Sequence, residues 1–164
     1  MEFVNNKHVI VVLFGNTPHD GSLKKFEISR IDTKANAGML TRAINVCDDD
    51  SIIICKFHPS VKEPLSHFQD LCRWMQLDPL QLQKVRLWDD LVENGFEMLP
   101  VEMVWLNHKV THVFCEHSAV CFTTREFASK VEFHLTSFGK RNSRNLREKL
   151  KLISTNLNMD IDYK

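Results

Sequence analysis

Val9-Ile10-Val11-Val12-Leu13-Phe14-Gly15, then Asn16-Thr17-Pro18-His19-Asp20-Gly21, then Lys25-Phe26-Glu27-Ile28-Ser29-Arg30-Ile31, is the stretch on which the fold turns. The first run is short, apolar and β-branched without alternation, the pattern of a strand buried on both faces. The middle is turn chemistry, and Lys25–Ile31 alternates in the manner of a second strand. Two consecutive strands joined through a loop predict a hairpin, and a hairpin makes its strands antiparallel.

Working outward, Asn36–Val46 sets Met39, Leu40, Ala43 and Ile44 on one helical face and ends in Asp48-Asp49-Asp50 before a strand at Ile52–Phe57. Strand, strand, helix, strand is also the order with which ubiquitin-like β-grasp domains begin, an analogy of order that many α+β folds share. His58-Pro59-Ser60 breaks the strand, and Leu65, Phe68, Leu71, Cys72 and Met75 mark a helix that stops before Asp78-Pro79. Asp as N-cap and Pro at the first helical position start another helix, running to about Asn94 with Gly95 as its C-cap. Leu80, Leu82, Val85, Leu87, Trp88, Leu91 and Val92 cover an arc of about 220° on it, wider than one core-facing stripe requires. Leu82, Val85, Trp88 and Val92 are therefore the candidate surface for a protein partner or for self-association.

Val101–Leu106, Val110–Cys115 and Ala119–Thr124 read as a three-strand meander, Val131–Phe138 as a further strand, and Met159–Tyr163 as a short edge strand. The expected fold is a single α+β domain over residues 1–164, with a largely antiparallel sheet, a central helix pair and an amphipathic basic C-terminal helix.

That last helix carries the nearest thing to a functional signature. Lys140, Arg144, Arg147 and Lys151 follow i, i+4, i+7, i+11, and on one helix they fall in a stripe about 60° wide. Leu146, Leu150, Ile153 and Leu157 repeat the spacing on another side. Lys140, Arg141, Arg144, Arg147 and Lys151 are the candidate anion-binding residues, because planar guanidinium forks suit phosphate and only Glu148 interrupts the bases. The competing reading is the solvated outer face of a packed helix.

Composition narrows the function classes. The 164 residues are 43% apolar and 26% charged, ordinary for a globular protein, and 21 bases balance 21 acids. No global field draws the chain to nucleic acid or membrane, but residues 1–100 are net −3 and residues 101–164 net +3. The five cysteines form no Cys-x-x-Cys pair, and no run approaches membrane-spanning length. A reducing, cytoplasmic or nuclear compartment is expected.

Candidate chemistry is thin. His108, His112, Cys115, His117 and Cys121 cluster within fourteen positions, yet their spacing matches no zinc pattern, and His112 and Cys115 point to opposite faces of a strand. No metal and no cofactor are expected. Asp48-Asp49-Asp50 lacks the spacing of a calcium loop. Ser22-Leu23-Lys24-Lys25 satisfies Ser-x-x-Lys without its companion motifs, and the five glycines stand alone, so phosphate-binding glycine loops are absent. No catalytic residue is assigned. The expectation is a non-enzymatic binding protein, engaging protein by its apolar helix and RNA, DNA or anionic lipid headgroups by its basic one. The alternatives are an adaptor without nucleic-acid binding, a small viral accessory or matrix-type protein, and a thiol-dependent hydrolase.

Overall fold

A computed structural model describes residues 7–14, 25–58, 61, 63–91, 109–116, 131–136 and 159–162. Strand β1 (His8–Phe14) is followed by helix α1 (Lys25–Val46), β2 (Ser51–Phe57), α2 (Pro64–Met75), α3 (Pro79–Lys84), β3 (Val85–Leu87) and the short α4 (Trp88–Leu91). After these come β4 (Lys109–Glu116), β5 (Glu132–Thr136) and β6 (Met159–Asp162). The six strands form one sheet in the order β3-β2-β1-β4-β5-β6. Every pairing in it is parallel.

The fold is therefore α/β with a parallel sheet, and the expectation of an α+β fold with a largely antiparallel sheet is overturned. The reason lies at Lys25–Ile31. These residues open the 22-residue helix α1 and are not the second arm of a hairpin. Parallel neighbours need a crossover of a dozen or more residues, and α1 supplies it between β1 and β2. Val110–Cys115, expected to pair within a meander, instead lies in β4 between β1 and β5. Its expected partners at 101–106 and 119–124 lie outside the described residues, as does the basic helix.

The sheet is covered on both faces, as a parallel sheet must be. Register places Ile10, Val12 and Phe14 on one face with Ile53, Cys55 and Phe57 of β2 and Phe114 of β4. These pack with Ala37, Met39, Leu40 and Ala43 of α1 and Leu71 of α2 into a single apolar cluster. Val9, Val11, Ile52, Ile54, Val113 and Phe133 alternate with that set and are buried as well. Full burial of one such side chain stabilises by about 1.5–3 kcal/mol, so β1, wedged between β2 and β4, is the anchor of the fold.

The segment from Asp78 onward corrects a second expectation, the long second member of the central helix pair. Its start is as read: the Asp78 carboxylate accepts from Gln81 N–H at 2.9 Å and Gln81 Oε1 accepts from Asp78 N–H at 3.1 Å, a reciprocal capping box. The helix then ends at Lys84, where the Arg86 guanidinium donates to the carbonyls of Leu82 and Val85, each at 3.0 Å. Val85-Arg86-Leu87 continues as β3, paired with Ile53–Cys55. The wide apolar arc is thus a helix and a buried strand read as one helix. Val85 and Leu87 fill the core from a three-residue edge strand, too short to invite further strand pairing.

Candidate functional site at the carboxyl edge

In a wholly parallel sheet all strands end on the same side, so Phe14, Phe57, Leu87, Glu116, Thr136 and Asp162 line one edge. The chain runs from β1 outward through β2 to β3, then returns past β1 to build β4, β5 and β6. The carboxyl ends of β1 and β4 therefore flank the point where the winding reverses. In open α/β sheets such a reversal point is the usual place of a ligand crevice.

Local structure furnishes the β1–β2 side of this edge. The Phe14 and Phe57 rings, in register at the strand ends, lie 4.7 Å apart and close the apolar core at this edge. His58 follows Phe57 and is exposed, and its carbonyl accepts from the Val61 N–H at 2.9 Å. Helix α2 begins next, at Pro64, and no side chain caps it. Among the described residues no side chain accepts from its first-turn N–H groups, where the positive end of the helix dipole favours an anion. His67, exposed on the second turn, brings its imidazole to 6.2 Å from the Phe57 ring. Glu63, at the N-cap in the left-handed conformation with φ 56°, is exposed as well, so one carboxylate borders the same opening.

On the opposite face at the same edge, Lys56 is buried to 8% exposure with its ammonium 5.1 Å from the centre of the Trp88 ring. That indole face provides a cation–π contact for a charge removed from water. Among the described residues, Trp88 Nε1 is the buried side-chain donor that has no hydrogen-bond partner.

The residues singled out in the sequence are distributed as follows. Leu82 stands on α3 and is exposed, as are Leu80 and Trp74. Val85, on β3, and Trp88, opening α4, are buried by the chain's own core. Val92, Lys140, Arg141, Arg144, Arg147 and Lys151 lie outside the described residues, as do His108, His117 and Cys121. Asp48-Asp49-Asp50 sits at the opposite, amino edge in a structural link: Lys84 Nζ bonds Asp49 Oδ1 at 2.8 Å and the Asp48 carbonyl at 2.9 Å, and the His8 N–H donates to the Asp50 carbonyl. His112 and Cys115 occupy opposite faces of β4 and do not join; His112 stands instead beside Glu132 and His134 of β5.

Phe57-His58-Pro59 reads in sequence as a strand end, and its position at the carboxyl edge, beside the start of α2, follows from parallel topology and from nothing local. Among the described residues no helix is long and apolar enough to cross a membrane. No protein family, no curated protein and no solved structure matches the chain.

Proposed function

We propose that the protein binds a small phosphate-bearing ligand of the nucleotide class at the carboxyl edge of its sheet. The strand order carries this reading. β3-β2-β1-β4-β5-β6, all parallel, is the order in which doubly wound sheets take nucleotides across the β1/β4 crevice. This part of the reading is fold-level analogy, and the local chemistry supports it. The start of α2 and the His58 and His67 imidazoles offer donors to a phosphate beside the Phe57 ring.

The C-terminal bases enter the same proposal. β5 ends at Thr136, so Lys140 and Arg141 follow within five positions of a strand that stops at this edge. With Arg144, Arg147 and Lys151 they are proposed as phosphate contacts. Protein association through this region is a separate proposal that falls to the exposed Leu82, since Val85 and Trp88 are internal.

Calorimetric titration of the full chain with a mononucleoside diphosphate at low salt tests the reading. Saturable binding is expected, weakened by at least about tenfold when His58 and His67 are both replaced by Ala, because charged-acceptor hydrogen bonds contribute about 1.5–3 kcal/mol each. Arg144→Glu/Arg147→Glu/Lys151→Glu is expected to weaken it as well. Absence of binding, or binding untouched by the histidine pair, overturns the edge assignment.

A further inference from the structure

We infer that His112, Glu132 and His134 form a binding site for a divalent transition metal, best matched by zinc, on the α1-covered face of the sheet and separate from the carboxyl-edge site. The three come from two adjacent strands. His112 and Glu132 are register partners across the β4–β5 pairing, and His134 is partner to Phe114. Residues two apart on a strand share a face, so Glu132 and His134 point the same way, and the register sets His112 beside them. This is the face of Ile10 and Phe114.

The distances are those of a ligand set. His112 Nδ1 lies 3.2 Å from His134 Nε2. Glu132 places one carboxylate oxygen 3.5 Å from His112 Nδ1 and the other 3.6 Å from His134 Nε2. Both carboxylate separations are too long for good hydrogen bonds, so direct pairing leaves the triangle loose. Donors bound tetrahedrally at about 2.0–2.1 Å from one ion stand about 3.3–3.4 Å apart, close to the 3.2 Å between the two imidazole nitrogens, and one donor atom from each of the three residues lies within 4.8 Å of the others. Octahedral magnesium at similar bond lengths brings neighbouring donors to about 2.8–3.0 Å and prefers oxygen, so it matches less well. Two imidazoles and one carboxylate form an established donor set for zinc and for other first-row ions.

The surroundings add rigidity and access. Phe114, fully buried, stacks on His134 with ring centroids 4.2 Å apart and planes 7° from parallel, which fixes that imidazole. Arg42 of α1 lies 5.8 Å from the Phe114 ring centre. The three ligand side chains are 24%, 14% and 51% exposed in the order His112, His134, Glu132. A fourth coordination position is thus open to water, as in zinc sites that activate a bound water or substrate. Of the sequence cluster around His112, Cys115 lies on the opposite face of β4 and His108, His117 and Cys121 lie outside the described residues. The missed signal is Glu132-Phe133-His134, a Glu-x-His alternation on a strand.

The test uses the full chain, stripped with a chelator and titrated with zinc by calorimetry, then with cobalt in visible absorption. One equivalent of zinc and a four-coordinate cobalt spectrum are expected. Glu132→Gln, a conservative change at a half-exposed side chain, is expected to lower zinc affinity by at least about 100-fold with an unchanged circular dichroism spectrum, a loss at the upper end of what removing an outer-shell partner causes. His134→Ala and His112→Ala behave the same way. Absence of zinc binding by the folded chain overturns the site, and so does stoichiometric binding that Glu132→Gln and His134→Ala leave intact.

Discussion

His134 lies flat on Phe114, two rings from neighbouring parallel strands with centroids 4.2 Å apart and planes 7° from parallel. The contact exists because Phe114 and His134 are register partners in the β4–β5 pairing. Phe114 thus joins the apolar cluster under α1 to the histidine pair at its margin. Phe114→Ala is expected to cost about 3–5 kcal/mol in urea unfolding, the range for a buried aromatic truncated to a cavity. A loss below about 1 kcal/mol, the size expected of a surface substitution rather than a core one, would show that the ring is not packed as described.

Two backbone positions are filled against conformational preference. Gly38 lies inside α1, exposed, and a Cβ there would meet nothing within 4 Å. Gln76 ends α2 in the left-handed conformation, φ 53°, its N–H bonded to the Arg73 carbonyl at 3.2 Å, a place glycine takes without strain. Gly38→Ala and Gln76→Gly are each expected to stabilise by about 0.5–1 kcal/mol, and their sum should hold in the double variant. Destabilisation by either change in denaturant unfolding would contradict the backbone geometry at that site.

The link between α1 and β2 carries a pH signature. Hydrogen bonding from Lys84 holds the Asp49 carboxyl below its ordinary range, and the same bond raises Lys84. A depressed carboxylate contributes stability that is present above its ordinary range and lost as pH falls through the folded value. A raised lysine contributes stability that is lost only as pH rises through its own folded value. Asp49 is fully exposed, so the effect is small. The melting temperature of Asp49→Asn should lie slightly below that of the parent at neutral pH, and the difference should close on acidification. A difference that persists unchanged into acid would mean the charge pair is not its source.

Cysteine reactivity bears on the hydrolase alternative. Burial pushes the Cys55 thiol well above its ordinary value and raises Cys72 and, against the pull of Lys84, Cys47. A raised thiol is a poor nucleophile near neutral pH. In a short alkylation pulse read by mass spectrometry, Cys47 and Cys72 should label more slowly than a free thiol, and Cys55 only on unfolding. Rapid labelling of any of the three would contradict the burial that raises it.

Much of the local structure was legible. Val9–Phe14 announces a strand buried on both faces, and Val9 through Val12 are fully buried. Met39, Leu40 and Ala43 announce the inner face of α1, and Asp78-Pro79 announces a capped helix start. The error at Lys25–Ile31 was local but its consequence was global. Phe26 and Ile28 fit a two-residue period, while Ile31 stands i+3 from Ile28 as a helix requires, and choosing the strand converts a crossover into a hairpin. That single choice reverses the relation of β1 to its neighbour, and with it the side of the sheet on which ligands are sought. The histidine cluster failed for a related reason: His112 was grouped with residues near it in sequence, whereas register joins it to Glu132 and His134, the latter twenty-two positions on. Strand pairing over such separations is set by the whole sheet and leaves no local mark.

The central claim, a ligand held at the carboxyl edge of a doubly wound sheet, is tested most directly by nuclear magnetic resonance of the isotope-labelled full chain titrated with a mononucleoside diphosphate. Amide shifts are expected to cluster at Phe14, Phe57, His58 and the start of α2 from Leu65 to His67, where the strands end and the uncapped helix begins. Residues of the amino edge, His8, Asp48–Ser51 and Lys84, should stay unmoved. Shifts concentrated at that amino edge, or no shifts at saturating ligand, would contradict it.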